Sequence, residues 1–225
     1  MFNIQIYQKF LKFPRKQLKK YIYRMVQEIE PSPRLVNYFQ ESRGLWTEFD
    51  GNKTEFVDSQ EWHYILSNIE QNIYLLKRLE ERNLLKEENH IVDCGIGLGT
   101  ALYDLYTQTE GFDNRTFTFT GIEKQDLYIN YLKEKLIDFW DGNLELIHDD
   151  IMNQNYSKYN IIYTYTPFQT VDKLKELYNK IISEVEVGSV LIENKNAGLG
   201  LHGVLTELEG IQKIELDDIV VFKKL

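Results

Sequence analysis

Hydrophobic and polar positions change their spacing near residue 90 of this chain. Before it, apolar residues recur every three or four positions, which predicts helices over residues 4–29, 34–43 and about 59–87. After it, short apolar runs alternate with helical stretches, which predicts a mostly parallel sheet with helices on both faces. The predicted strands and helices of this part are strands 90–94, 116–122, 144–148, 160–165, 188–193, 211–216 and 219–223, and helices 98–109, 125–140 and 171–184.

The last two predicted strands are separated only by Asp217 and Asp218. Two residues are too few for a helical crossover, so these strands should pair antiparallel. The chain before the long predicted helix differs in character, since it carries two shorter helical patterns and a hairpin signal at Asp50-Gly51. We therefore predict a mainly helical N-terminal extension over residues 1–58, providing substrate or oligomer contacts, and an α/β domain over residues 59–225.

Composition narrows the class of protein. The 225 residues are 43% hydrophobic, enough for one main domain with a substantial core and an appendage. A single cysteine, Cys94, excludes a disulfide framework within the chain and fits a reducing compartment. No apolar run approaches the roughly 20 residues that span a bilayer, and the N-terminus lacks a signal-peptide pattern. We expect a cytoplasmic protein without membrane contact.

Charge is unevenly distributed along the chain. The net charge is −9, but residues 1–25 contain seven basic residues and no acidic one. Such a segment could bind nucleic acid or a membrane surface, or it could dock on the acidic remainder of its own chain or of a second copy. We favour docking, because a globally acidic protein repels phosphate polymers. A homo-oligomer held by this basic segment is thus one expected outcome, and nucleic-acid binding is not expected.

The strongest chemical signal is a glycine-rich turn between a predicted strand and a predicted helix. An apolar strand runs into Gly95, Gly97 and Gly99, and the next strand ends on Glu123. Glycine allows a sharp turn and close approach to a ligand, and the following helix offers unpaired N–H groups to an anionic group. A carboxylate at the end of the neighbouring strand can accept hydrogen bonds from a ribose diol. The pattern predicts a site for a nucleoside cofactor.

The spacing argues against two common nucleotide motifs. A dinucleotide fold needs Gly or Ala at position 100, where this chain has Thr100, and the third glycine comes one residue early. The acidic residue also lies 26 positions after Gly97, beyond the spacing of about 20 typical of NAD folds. No Gly-Lys-Ser/Thr follows, which excludes a P-loop.

The arrangement Asp-x-Gly-x-Gly-x-Gly at residues 93–99 resembles motif I of the class I S-adenosylmethionine-dependent methyltransferases, and the later motifs over residues 60–225 follow that family's order. The resemblance implies a Rossmann-like, three-layer α/β fold, with a mostly parallel seven-stranded sheet in the order 3-2-1-4-5-7-6 and an antiparallel last strand. It implies S-adenosylmethionine as the cofactor. The residues implied to bind it are Asp93, Gly95, Gly97, Gly99, Glu123, Asp149, Asp150 and Tyr163.

Two roles in this set follow from the resemblance. Glu123 corresponds to the acid that holds the ribose hydroxyls, although a solvated carboxylate at a strand end is the alternative. Asp149 or Asp150 corresponds to the acid that meets the adenine amino group, with Asp150 slightly preferred; alternatively, both cap the next segment. We expect no metal site at His148 and these two aspartates, because neighbouring residues on a strand point to opposite faces.

The catalytic residues are left unassigned. The family's methyl-transfer motif falls on residues 163–168, and the positions that carry Asp/Asn-Pro-Pro-Tyr/Phe in enzymes acting on amino groups are Tyr-Thr-Pro-Phe here. The amide or carboxylate that would hold a nucleobase amino group is therefore absent. Methyl transfer depends largely on positioning, so an acidic or basic catalyst is not mandatory. The candidates are Tyr165 for an aromatic contact and Glu193 or His202 for a general base.

Three functional hypotheses remain open at this point. The leading one is a methyltransferase that uses S-adenosylmethionine on an unidentified acceptor, with a small molecule slightly favoured over a protein. The second is a catalytically inactive scaffold that still binds S-adenosylmethionine. The third is an NAD-dependent oxidoreductase, which the glycine spacing disfavours.

Overall fold

The computed structural model describes residues 74–137, 140, 142–165, 167–168, 170–194, 208–216 and 219–225. Seven strands within these residues form one sheet in the order β3-β2-β1-β4-β5-β7-β6, which confirms the predicted order. The strands are β1 (Glu88–Cys94), β2 (Thr116–Glu123), β3 (Leu144–His148), β4 (Ile161–Thr164), β5 (Val190–Asn194), β6 (Ile211–Leu216) and β7 (Ile219–Lys224).

The pairing directions confirm the predicted closing hairpin. Strands β1 to β5 pair in parallel, whereas β7 pairs antiparallel with both β5 and β6. Ile91 and Val92 of β1 are fully buried, as expected for a central strand covered on both faces. The predicted N-terminal extension over residues 1–58, with its hairpin and basic segment, lies outside the described residues.

Helices cover both faces of the sheet, as predicted. Leucine and isoleucine side chains of three helices pack in one buried cluster on the first face, and α4 packs in a second cluster on the other. The helices are α1 (Leu75–Glu81), α2 (Thr100–Thr107), α3 (Asp126–Tyr131) and α4 (Val171–Glu184). Every helix within the described part of the chain is too short or too polar to cross a membrane.

The predicted bounds of two helices that follow β1 need correction. The helix predicted over residues 98–109 begins only at Thr100, because the glycine turn continues to Gly99, and it passes into a 3-10 turn at Gln108–Gly111. The helix predicted over residues 125–140 is α-helical only over Asp126–Tyr131 and continues as a π-helical turn over Leu132–Leu136. Apolar periodicity does not report such changes of hydrogen bonding at a helix end.

The long helix predicted to reach residue 87 ends at Glu81. Asn83 adopts a left-handed conformation (φ 55°), its N–H donates to the Glu80 carbonyl, and the Leu84 N–H donates to the Leu79 carbonyl. These two bonds form a Schellman motif, which satisfies the last carbonyls and stops the helix. The turn redirects the chain toward β1, which starts a few residues later.

A polar group is buried in α2, against the first face of the sheet. Asp104 is only 4% exposed, and its Oδ2 has no hydrogen-bond partner among the described residues. Burial raises the pKa of Asp104 to about 7, and a hydrogen bond with Gln108 partly offsets that shift. Between about pH 4 and pH 7 the folded chain therefore holds a proton that the unfolded chain has released, so this group lowers the free energy of unfolding as pH rises.

Asp104→Asn should remove this dependence. We expect the variant to match the wild type near pH 4 and to be more stable by about 4 kcal/mol near pH 8, since the neutral amide carries no desolvated charge. Urea unfolding at several pH values measures the difference. Asp172→Asn, at an exposed position of α4, should leave the wild-type pH profile unchanged. A constant difference between Asp104→Asn and wild type at every pH would contradict the prediction.

Candidate functional site

The carboxyl ends of β1 and β4 define the point where the sheet changes direction of winding. From β1, the chain adds β2 and β3 on one side and then β4 and β5 on the other. Loops leaving the two central strands therefore diverge and open a crevice at this edge, where open α/β sheets bind their ligands. The glycine turn after β1 and the loop after β4 both leave from this crevice.

All three glycines of the turn use backbone conformations that favour glycine. Gly95, Gly97 and Gly99 have φ values of 79°, 55° and 73°, in the left-handed region. The intervening Ile96 and Leu98 are buried and anchor the turn in the core. Backbone N–H groups of Gly95 and Ile96 both donate to the Ile122 carbonyl at 3.0 Å, which ties the turn to β2. The turn is thus a rigid cradle without side chains on its glycine positions.

Glu123, at the end of β2, connects that strand to the glycine turn. Its Oε2 accepts a hydrogen bond from the Gly97 N–H at 2.9 Å, and its Oε1 accepts one from the Gln125 N–H at 2.8 Å. The residue is 7% exposed, so the carboxylate is held in the protein instead of standing free in solvent. A carboxylate oxygen can accept more than one hydrogen bond, so a ligand hydroxyl can share this group with the backbone donors.

Asp93 places a second carboxyl beside Glu123. Asp93 is the residue before the end of β1 and is 4% exposed. Burial and the charge of Glu123 together raise the pKa of Asp93 to about 8. Asp93 is therefore largely protonated at neutral pH, and it can donate a hydrogen bond as well as accept one.

The two aspartates after β3 are both engaged in their own turn. The Asp149 carboxylate accepts hydrogen bonds from the Asn153 and Gln154 side-chain amides and from the Asp150 N–H, and these bonds hold its pKa below the usual range. Asp150 accepts from the Met152 N–H and caps the 3-10 turn Ile151–Asn153. The Asp149 N–H donates to the Glu123 carbonyl at 3.1 Å, so this turn lies directly beside the end of β2.

Aromatic residues at the end of β4 divide between the two faces of the sheet. Tyr163 lies next to Asp93 in the strand register and is buried in the apolar cluster on the first face of the sheet. Tyr165 is partly buried and packs against that same cluster. Burial raises the pKa of Tyr165. Phe168 packs in the cluster on the opposite face, with Lys173 Nζ 5.4 Å from its ring centroid. Thr166 lies outside the described residues, as does the catalytic candidate His202.

Comparison by sequence finds no relatives: no protein-family model matches the chain, and no curated protein matches it significantly. Comparison by structure finds many. The SAH-bound methyltransferase PaMTH1 from Podospora anserina is 12% identical with a TM-score of 0.66, covering 96% of this chain and 98% of that one. A proposed class I S-adenosylmethionine-dependent methyltransferase from Listeria monocytogenes is 16% identical with a TM-score of 0.60, covering 97% and 77%. A methyltransferase from Geobacter sulfurreducens is 14% identical with a TM-score of 0.56, covering 92% and 97%.

These similarities agree with the strand order and with the single antiparallel strand within the described sheet. The chain has the class I methyltransferase fold. Within this methyltransferase fold, residues from three loops meet at the carboxyl ends of β1, β2 and β3. They are Asp93, Gly95, Gly97, Gly99, Glu123, Asp149 and Asp150, joined through the contacts of Glu123 with the Gly97 N–H and the Asp149 N–H. Glu193 is not among them, because it lies in β5 on the α4 face.

The methyltransferase fold also uses two residues that sequence reasoning did not assign. Gly121, in β2, leaves room for Ile96: a Cβ on Gly121 would lie 2.2 Å from Ile96 Cδ1. His148 Nε2 lies 3.1 Å from the Lys124 carbonyl oxygen and 3.3 Å from Asp126 Oδ1, and so links β3 to the segment after Glu123. A glycine inside an apolar strand is a recognised sign of close packing, so the first was detectable. The contacts of His148, in contrast, depend on the register between β2 and β3, which the sequence pattern does not reveal.

Proposed function

We propose that this chain is an S-adenosylmethionine-dependent methyltransferase. The observation that carries the proposal is the pairing of Glu123 with the Gly97 N–H inside a turn of three left-handed glycines. This arrangement suits an adenosine ligand, because a fixed carboxylate can accept both ribose hydroxyls while the glycine backbone lies close to the rest of the molecule. S-adenosylmethionine supplies an activated methyl group on a sulfonium when it is bound.

In this proposal, three segments of the chain each contact a different part of S-adenosylmethionine. We assign the ribose hydroxyls to Glu123, the adenine amino group to the Asp149-Asp150 turn, and the amino-acid portion to the glycine turn. Asp93, largely protonated at neutral pH, would stabilise the glycine turn and could donate a hydrogen bond there. Tyr163 of β4 is buried between β1 and β5, in register with Asp93, and would pack against this part of the site. The similar protein from Podospora anserina, which is SAH-bound, supports the choice of ligand.

Two alternatives differ in testable ways. An NAD-dependent oxidoreductase would need a small residue where Thr100 starts α2, and Thr100 is buried against the sheet. An inactive scaffold would bind S-adenosylmethionine but would not transfer its methyl group. Tyr165, Glu193 and His202 are the catalytic candidates that such a scaffold would leave unused.

The acceptor-binding region is proposed to include residues 1–58, since the residues above account for the methyl donor alone. In this division residues 59–225 hold S-adenosylmethionine. The basic segment 1–25 would contact the acceptor or a second copy of the chain. A small-molecule acceptor is slightly favoured over a protein, and no nucleic acid is required.

Calorimetry separates the three functions. We expect S-adenosylmethionine to bind with a dissociation constant in about the micromolar range, and NAD to bind at least about 100-fold more weakly. Formation of S-adenosylhomocysteine in the presence of pooled small-molecule acceptors then distinguishes an enzyme from a scaffold. Tighter binding of NAD than of S-adenosylmethionine would overturn the proposal.

A further inference from the structure

A row of three polar side chains lies beneath the carboxyl edge of the sheet. Strand register places Cys94 of β1 beside Thr164 of β4, and Thr164 beside Glu193 of β5. All three residues are buried, and Cys94 belongs to the apolar cluster formed with α4. A buried polar group costs free energy unless it is hydrogen-bonded, so each member of the row requires a partner.

The first two members have tyrosine partners. Cys94 Sγ donates to the Tyr156 hydroxyl at 3.6 Å, and that hydroxyl donates to the Ile151 carbonyl at 2.7 Å. Thr164 Oγ1 lies 3.5 Å from the hydroxyl of Tyr178, on α4. Burial raises the pKa of both phenols and of the Cys94 thiol, so these groups stay neutral. This part of the row is satisfied within the protein.

Glu193 is the member without such a partner. It is 3% exposed, and its Oε2 is buried with no hydrogen bond to the described part of the chain. Burial raises the pKa of Glu193 to about 8, and the positive charge of Lys213 offsets only part of that shift. Lys213 Nζ is itself 2.9 Å from Glu215 Oε1 at the sheet edge. The structure therefore retains a buried carboxyl whose second oxygen accepts no hydrogen bond from the described residues.

The surroundings of Glu193 connect it to the proposed methyl-transfer site. The loop after β4 places Phe168 in the same apolar cluster as Cys94 and α4. The same loop reaches the glycine turn, since Pro167 Cβ lies 3.7 Å from where a Cβ on Gly95 would stand. One short loop therefore spans from the glycine turn to the face that holds Glu193.

We propose that the methyl acceptor is an amine and that Glu193 binds its ammonium form and takes its proton. This inference rests on the proposed methyltransferase function. A carboxylate buried among apolar and aromatic groups recognises a cation that can also donate a hydrogen bond. An ammonium nitrogen has no lone pair until a proton leaves: the N–H bond breaks, an O–H bond forms at Glu193 Oε2, and the electron pair stays on nitrogen. Glu193 thus supplies the carboxylate that the loop after β4 lacks.

Proton counting on binding tests this role without turnover. The protein is saturated with S-adenosylhomocysteine and titrated near pH 7 with benzylamine or benzyl alcohol, in two buffers of different ionisation enthalpy. Because the free Glu193 carboxyl is largely protonated at this pH, pairing with benzylamine should release about one proton per site. Glu193→Gln should bind benzylamine at least about tenfold more weakly and release no proton. Glu176→Gln, an exposed position of α4, should behave as wild type.

The outcomes separate this inference from the function on which it rests. Failure of the wild type to bind S-adenosylmethionine would overturn both. Normal S-adenosylmethionine binding with no benzylamine binding, equal binding of benzyl alcohol, or unchanged proton release in Glu193→Gln would overturn the amine assignment alone. S-adenosylmethionine affinity of Glu193→Gln within about twofold of wild type shows that the variant is folded. Glu193→Asp should recover part of the preference for benzylamine over benzyl alcohol.

Discussion

Glu123→Ala is expected to weaken S-adenosylmethionine binding by at least about 100-fold. Two effects combine, since the variant loses the acceptor for the ribose hydroxyls and also releases the Gly97 and Gln125 N–H groups that Glu123 holds. Each hydrogen bond to a charged group contributes about 1.5–3 kcal/mol, and two such bonds to the ribose account for the expected factor. Calorimetric titration measures the change.

Two further variants make this result specific. Glu123→Gln keeps acceptor oxygen for one of the two backbone donors and should lose less affinity than Glu123→Ala. Glu145→Ala, at an exposed position of the neighbouring strand β3, removes a carboxylate that pairs with Lys158 and should leave affinity unchanged. Equal affinity of Glu123→Ala and Glu145→Ala would remove Glu123 from the site and with it the main support for the proposed function.

Gly121→Val is expected to destabilise the protein and to disturb the glycine turn. A Cβ at this position would lie 2.2 Å from Ile96 Cδ1 and 3.2 Å from Leu146 Cδ2. The tip of Ile96 can rotate away from a single added methyl group, but a branched side chain also fills the space into which it would move. We expect a loss of about 2–3 kcal/mol in the free energy of unfolding, typical of an overpacked core.

The same substitution should reduce S-adenosylmethionine affinity, because Ile96 lies between two glycines of the turn. Gly121→Ala should show a smaller loss of both stability and affinity. Gly111→Ala is the matched control, since a Cβ there meets no atom within 4 Å. Urea unfolding and calorimetry on the three variants measure both quantities. Wild-type stability in Gly121→Val would mean that β2 and the glycine turn are not packed as described.

The fold follows from patterns that each segment carries locally. Strand and helix periods are properties of neighbouring residues, and connection lengths decide which strands can pair in parallel. For that reason the antiparallel hairpin at residues 211–224 agrees with the prediction from spacing. The strand order agrees with what the resemblance to class I methyltransferases implies. Helix ends agree less well. The stop at Glu81 depends on the left-handed Asn83, and the π-helical turn after Tyr131 has no signature in apolar spacing.

The candidate site also combines features that are local in the sequence with features that depend on tertiary contacts. Glycine spacing and the acid at the end of β2 are local features, so Gly95, Gly97, Gly99 and Glu123 could be singled out from the chain alone. Their roles as ligand contacts stay predictions. Asp149 and Asp150 were harder to rank, because each can bond within its own turn as well as to a ligand, and both do bond locally.

Residues distant in the chain met only through the folded sheet. Whether Cys94, Thr164 and Glu193 form one row depends on the register of three strands, and a shift of one residue would turn each side chain to the opposite face. The hydrogen bonds of Cys94 and Thr164 with tyrosine hydroxyls depend further on how α4 and the segment after β3 pack against the sheet. Local patterns in the sequence were thus sufficient for the strands, the helices and the glycine turn, and the order of the motifs along the chain pointed to the strand order through the family resemblance. The burial of the Glu193 carboxyl and the hydrogen bond from the Gly97 N–H to Glu123 both depend on contacts between segments that are distant in the chain. The sequence of a single segment does not determine such contacts.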